Sequence, residues 1–186
     1  MNNFRSIETD RLALKVLGAD DWREVLDFLN DGKEVFEKYE AARAPLFYTR
    51  EFQMHILKNE YEAALRNAYL RYYIYEKENP YKIIGTVSYG NVLPDPYMSA
   101  TLGYKISPDY QKKGYATEAI NASMEMAYKH LNLHRIIAYV QVENKASIRV
   151  LEKCGLQCEG LCKEVLHING EWKDHFLYGK CFDRKL

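Results

Sequence analysis

Apolar residues follow two alternating rhythms along this chain, a period near 3.6 and a period of two. Residues 6–17 alternate apolar with polar and read as one extended segment. Trp22, Val25, Leu26 and Leu29 form a helical stripe behind Asp20 and Asp21, which suit a helix N-terminus, and Gly32 is expected to end it. Residues 33–48 lack a period and predict a loop. Thr49 caps a second predicted helix, carried by Phe52, Ile56, Tyr61 and Ala64 to about Asn67. Strands are expected over Tyr69–Glu76 and Tyr81–Val92, parted by a turn at Glu78-Asn79-Pro80. After the break at Pro94-Asp95-Pro96, Tyr97–Ile106 is a further strand. A helix over Tyr115–Leu131 keeps Ala116, Ala119, Ile120, Ser123, Ala127 and Leu131 on one face. Arg135–Val142 reads as a buried strand, and Asn144 caps a short helix ending at Gly155. Gln157–Ile168 and Glu171–Phe182 flank Asn169-Gly170, a strong two-residue hairpin signal. The expected class is α/β with a mixed sheet, in a single domain over residues 1–186 without internal repeats.

Composition narrows the class. The 186 residues are 47% hydrophobic and 28% charged, enough for one domain with its own core. No apolar run approaches the roughly 20 residues of a membrane helix. The opening Met1-Asn2-Asn3-Phe4-Arg5 lacks the apolar stretch of a secretory leader. A cytoplasmic protein without a membrane partner is expected. Basic and acidic residues balance at 26 each, and no long basic run exists, so direct nucleic-acid binding is not expected. Cys154, Cys158, Cys162 and Cys181 form no C-x-x-C pair and read as reduced thiols. An acyl-cysteine route has no histidine close in sequence to support it.

Gln111-Lys112-Lys113-Gly114-Tyr115-Ala116-Thr117 stands between a predicted strand and a predicted helix, with glycine at the helix start. A helix N-terminus offers unpaired N–H groups and a positive dipole end, and therefore suits phosphate. Gly114 lets the backbone approach closely. Lys112 and Lys113 add charge. The spacing is neither a nucleotide P-loop, since Tyr115 follows Gly114, nor the dinucleotide fingerprint, which needs more glycines. From spacing alone, an ordinary helix entry with solvated lysines fits equally well.

The longer stretch Leu102–Ala119 closely resembles the acetyl-CoA-binding motif of the GNAT superfamily of N-acetyltransferases. The branch it looks like is the RimJ/RimL type. Three further blocks fit in order: Ile7–Lys15 resembles that branch's first strand, Asn144–Leu156 its second signature, and Gly170–Tyr178 its closing hairpin. The resemblance implies a GNAT fold, with a mostly antiparallel sheet of about seven strands splayed between the fourth and fifth and flanked by about four helices. It implies acetyl-CoA as co-substrate, no metal, and a protein N-terminus or small amine as acceptor. Nothing points to one state among monomer and homodimer.

The same resemblance distributes roles. The backbone of Tyr104, Lys105 and Ile106 would lie along the pantetheine arm, with an N–H polarising the thioester oxygen. Gln111, Lys112, Lys113, Gly114, Tyr115, Ala116 and Thr117 would hold the diphosphate. Many superfamily members carry a tyrosine four residues before the glycine that ends the short helix, as proton donor to the leaving thiolate. Here that position is Leu151. Ser147 is the substitute the branch offers, with Asn144 on the pantetheine or an ordered water. In the plainer reading Asn144 is only a cap and Ser147 a first-turn residue. The branch's acidic base falls at Leu166, and its neighbours Glu164 and His167 read as solvent-facing. Trp22, Trp172 and most tyrosines read as packing, while Tyr39, Phe47 and Tyr48 would roof the acceptor groove. The rival functions are a small-molecule amine acetyltransferase and a non-catalytic acyl-CoA-binding module.

Overall fold

The computed structural model describes residues 4–41 and 43–182. Among them, eight strands form one sheet in the order β1-β2-β3-β4-β5-β6-β8-β7. The strands are β1 (Ser6–Glu8), β2 (Leu12–Lys15), β3 (Leu70–Glu76), β4 (Asn79–Leu93), β5 (Ser99–Ile106), β6 (Arg135–Gln141), β7 (Gln157–Ile168) and β8 (Glu171–Cys181). The helices are α1 (Trp22–Phe36), α2 (Arg50–Leu65), α3 (Tyr115–His130) and α4 (Lys145–Lys153). Neighbouring strands are antiparallel except β5 and β6.

That exception shapes the molecule. β5 and β6 pair only at Ser99–Arg135, Ala100–Ile136 and Thr101–Ile137. Beyond Thr101 they diverge, so Leu102–Ile106 and Ala138–Gln141 line an open wedge. The splay expected between the fourth and fifth predicted strands lies here.

The central strands of the sheet are covered on both faces, each by its own core. On one face α3 and α4 pack with Leu70, Tyr72, Ile74, Leu102, Ile120, Ile136, Val140 and Leu151. On the other, α1 and α2 pack with Tyr73, Tyr75, Ile83, Phe28 and Leu57. β3 contributes to both because successive side chains leave opposite faces. Each fully buried aliphatic or aromatic side chain adds about 1.5–3 kcal/mol.

Four local readings change. Residues 6–17 are two strands rather than one, because Thr9 turns the chain back: its N–H donates to the Leu12 carbonyl at 2.9 Å, and its hydroxyl accepts from Leu12 N at 2.9 Å. The count is therefore eight strands, not about seven. Gly32 lies inside α1, which runs to Phe36. A Cβ at Gly32 would overlap the Phe36 ring, so this glycine makes room one turn ahead rather than ending the helix. The loop expected over 33–48 also holds a short 3-10 turn at Pro45–Tyr48. The turn before β4 is Lys77-Glu78, since Glu76 pairs with Asn79, and Pro80 sits in the exposed start of β4. The Asn169-Gly170 hairpin is as expected, with φ of 51° and 84° and Ile168 paired to Glu171.

Candidate active site

The loop from β5 into α3 is held from below. Gly114 has φ 83°, the left-handed region that glycine tolerates, and is the N-cap of α3. Lys112 is also left-handed at φ 62°. Among the described residues, the backbone N–H groups from Lys112 to Thr117 find no partner in the protein, and the first protein bond of the helix is Glu118 N to Gly114 O at 3.1 Å. Six donors thus crowd one helix entrance, as an anion site requires. The Lys113 ammonium lies 4.9 Å from the Tyr110 ring centre, at the edge of this site.

Arg11 and Glu118 set the position of that entrance, and sequence reasoning missed them. Arg11 donates through Nη1 to the Lys113 carbonyl at 3.0 Å and through Nε to Glu118 at 2.7 Å, and its guanidinium stacks 4.6 Å over the Tyr115 ring. Thr9 donates its hydroxyl to the same Glu118 carboxylate at 2.6 Å. Partial burial raises the Glu118 pKa, but the bonds from Thr9 and Arg11 outweigh it and hold the carboxyl below its ordinary 4.5. Tyr115 reaches further and donates its hydroxyl to Glu76 on β3. The signal was present: Thr9-Asp10-Arg11 and Glu118 belong to two of the blocks singled out above, and the fold brings those blocks together.

The wedge between β5 and β6 leads from this loop. Gln111 donates its side-chain amide to the Ile106 carbonyl at 3.1 Å, tying the loop to the end of β5. Of the residues expected along the pantetheine arm, Tyr104 and Ile106 lie on the stretch of β5 that β6 leaves unpaired. Lys105 lies there too, but its side chain leaves the opposite face and pairs with Glu40 at 2.8 and 3.1 Å. Across the wedge, Asn144 caps α4 by accepting from Ser147 N at 3.1 Å. Ser147 faces Tyr104, whose hydroxyl lies 2.5 Å from Ser147 Oγ. Leu151 is 1% exposed and offers no polar group.

The α1–α2 face of the sheet carries a group of paired charges. Arg71 on β3 pairs with Glu60 on α2 at 3.0 Å. Burial raises the Glu60 carboxyl against the opposing effect of Arg71. Burial likewise lowers the Lys105 ammonium, with Glu40 opposing. Of the residues expected to roof the acceptor groove, Tyr48 donates to Glu37 at 2.8 Å, and Phe47 packs on Tyr48 and Phe52. The hairpin tip joins this roof, because Asn169 donates to the Glu37 carbonyl at 2.8 Å. Leu166, Glu164 and His167 are exposed, and the His167 ring packs tilted against Trp172 with centroids 5.3 Å apart. Trp22 packs against the core beneath α1 and α2, with the Arg23 and Arg50 guanidiniums 5.4 and 5.1 Å from its ring. Cys154 is buried, its thiol pushed up to about 11 by burial, so it is a poor nucleophile. Among the described residues, no helix is long and apolar enough to cross a membrane.

A splayed β5–β6 pair with a helix entrance of unpartnered N–H groups at its mouth defines a class, and comparison with known proteins gives the same class. Residues 11–157 match the acetyltransferase (GNAT) domain family, and the chain belongs to it. It is an acetyl-CoA-dependent N-acetyltransferase. Within the family it is of the RimJ/RimL type. The probable N-acetyltransferase YjcK of Bacillus subtilis (strain 168) is 32% identical over 162 residues, covering 87% of this chain and 89% of that one. The [ribosomal protein uS5]-alanine N-acetyltransferase of Escherichia coli (strain K12) is 28% identical over 174 residues, 92% of this chain and 88% of that one. The crystal structure of the ribosomal-protein-S5-alanine acetyltransferase from Vibrio fischeri superimposes with a TM-score of 0.89 at 31% identity, covering 95% of this chain and 96% of that one.

Proposed function

We propose that this enzyme acetylates the N-terminal α-amine of a protein or peptide in the cytoplasm. One observation carries the donor half: the unpaired wedge of β5 and β6 opens onto six unpartnered N–H groups around Gly114. The diphosphate lies on the backbone of Gln111 to Thr117, with Lys112 and Lys113 adding charge. The pantetheine arm adds as a short strand beside Tyr104–Ile106, in the manner of strand addition to a free edge. A backbone N–H there polarises the thioester, and a donor of that kind supplies on the order of 2.7–4 kcal/mol. Asn144 and Ser147 close the other side of the wedge, where the thiolate departs.

The acceptor half rests on likeness over nearly the full length to alanine N-acetyltransferases of ribosomal protein S5. The chemistry of the site agrees with that acceptor. An α-amine has a pKa near 7.7–8.0 and lysine about 10.4, so at pH 7 the α-amine carries roughly 200–400 times more neutral form. Leu166, at the branch's base position, and Glu164 and His167 on either side are exposed, and an acceptor that is partly neutral already has the smaller need of a base.

Incubation with acetyl-CoA and three acceptors tests the reading, following thiol release and product mass. The acceptors are a peptide with a free alanine or serine N-terminus, the same peptide N-blocked but bearing lysine, and spermidine. The free N-terminus is expected to be acetylated at least about tenfold faster than the others. Preference for spermidine would make the enzyme a small-amine acetyltransferase. Binding without transfer to any amine would leave the acyl-CoA-binding role.

A further inference from the structure

Tyr104 and Ser147 join the two sides of the wedge. Tyr104 stands on the unpaired part of β5, and Ser147 in the first turn of α4, directly after β6. Besides its 2.5 Å contact with Ser147 Oγ, the Tyr104 oxygen lies 3.0 Å from the Ser147 carbonyl. A carbonyl only accepts, so the single Tyr104 proton has two destinations. Sent to the carbonyl, it leaves the Ser147 hydroxyl turned back onto Tyr104. Sent to Ser147 Oγ, it frees the Ser147 proton to point away from Tyr104. The exchange needs two hydroxyl rotations and no movement of heavy atoms.

We propose that Tyr104 is a positioning residue for Ser147: when the CoA thiolate forms, Tyr104 donates to Ser147 Oγ and so directs the Ser147 proton at the sulfur. This rests on the acetyl-transfer reading of the wedge. In that reaction the amine nitrogen bonds the acetyl carbon and the carbon–sulfur bond breaks. Sulfur leaves with the electron pair, and the ammonium proton passes to water. A lone serine hydroxyl is a free rotor, whereas one that accepts from Tyr104 is both oriented and polarised. Hydrogen bonds to an ionised acceptor are about twice as strong as neutral ones. Burial pushes the Tyr104 phenol up, so it keeps its proton while the thiolate forms. The pair thus acts by donation and does not ionise. A hydroxyl absent at buried Leu151 is replaced by two from elsewhere, one on β5 and one on α4.

Tyr104→Phe, Ser147→Ala and the double variant test this with two readouts. One is kcat with acetyl-CoA and a peptide amine, alongside the Kd for acetyl-CoA. The other is the ionisation midpoint of the thiol of bound CoA, followed by thiolate absorbance in the ultraviolet. Each single variant is expected to lower kcat about three- to tenfold with little change in Kd. Each should raise the thiol midpoint by about one unit. The double variant should be no worse than Ser147→Ala alone, because Tyr104 acts through Ser147. Effects that multiply in the double variant would overturn the proposal. So would a Tyr104→Phe enzyme whose kcat and thiol midpoint match the wild type, or one that changes only the Kd as a mere latch would. The thiol titration needs only bound CoA. Absence of transfer to every amine would therefore count against the transferase reading, while the titration would still judge the pair.

Discussion

Gly114 is the residue on which most depends. At φ 83° a β-carbon costs roughly 1–2 kcal/mol, and it would stand 3.5 Å from Arg11 Nη2, beside the donors of the helix entrance. Gly114→Ala is expected to lower stability by about that amount and to weaken acetyl-CoA binding. Gly114→Trp should abolish binding in a folded protein, since the indole would occupy the anion site. Calorimetric titration with acetyl-CoA, beside circular dichroism, checks both. An unchanged affinity in a folded Gly114→Trp protein would remove the diphosphate from this loop.

At the scale of elements, the β1–β2 turn and α3 act as one unit through Glu118. Its folded pKa lies below the ordinary 4.5. Its contribution is therefore fully present above 4.5 and is lost as pH falls through the folded value. Thermal unfolding from pH 7 down to 3 should show Glu118→Gln less stable than wild type at neutral pH. The gap should start to close below about pH 4.5 and vanish as the pH falls through the folded value. A gap that persists into acid would mean the carboxylate charge is not what clamps the turn. Helix α1 offers a second case, where two effects oppose. Glycine to alanine inside a helix ordinarily gains about 1 kcal/mol. At Gly32 the new methyl would overlap the buried Phe36 ring, so Gly32→Ala should lower the Tm. The same change made in a Phe36→Ala background should not lower it further. A gain in Tm in the wild-type background would show that the ring yields freely.

Across the whole molecule, two half-sheets meet in three residue pairs at β5–β6, and across the wedge the Tyr104 hydroxyl contacts both the hydroxyl and the carbonyl of Ser147. The core beneath α3 draws residues from both halves, including Leu70, Leu102, Ile136 and Tyr178, so unfolding should be a single transition. A ligand lying in the wedge adds contacts to both halves at once. Acetyl-CoA at a hundred times its Kd should stabilise by about 2.7 kcal/mol, a rise of roughly 5–10 °C for a domain this size. At equal concentration, adenine nucleotides lacking pantetheine should raise the Tm less, because they leave the free edge of β5 unfilled. Differential scanning fluorimetry reads both. An equal shift from ATP would place the affinity in the diphosphate loop alone.

What the chain determines by itself is local. Apolar periodicity marks the helices and most strands, Asn169-Gly170 marks its hairpin, Asn144 its cap, and Gly114 the entry to α3. Each depends on a few adjacent residues whose conformational preferences act within one turn. Where local signals failed, a distant or unforeseen neighbour had intervened. Gly32 reads as a stop until Phe36 is seen to need its space, and residues 6–17 read as one strand until Thr9 turns them back. The tertiary structure decided the clamp of Arg11 on Glu118, 107 residues away, and the meeting of Tyr104 with Ser147 across the wedge. It also decided that the Lys105 side chain turns away from the wedge to Glu40. None of these has a sequence period, because each joins elements whose approach is set by how the sheet splays and which faces its two cores bury.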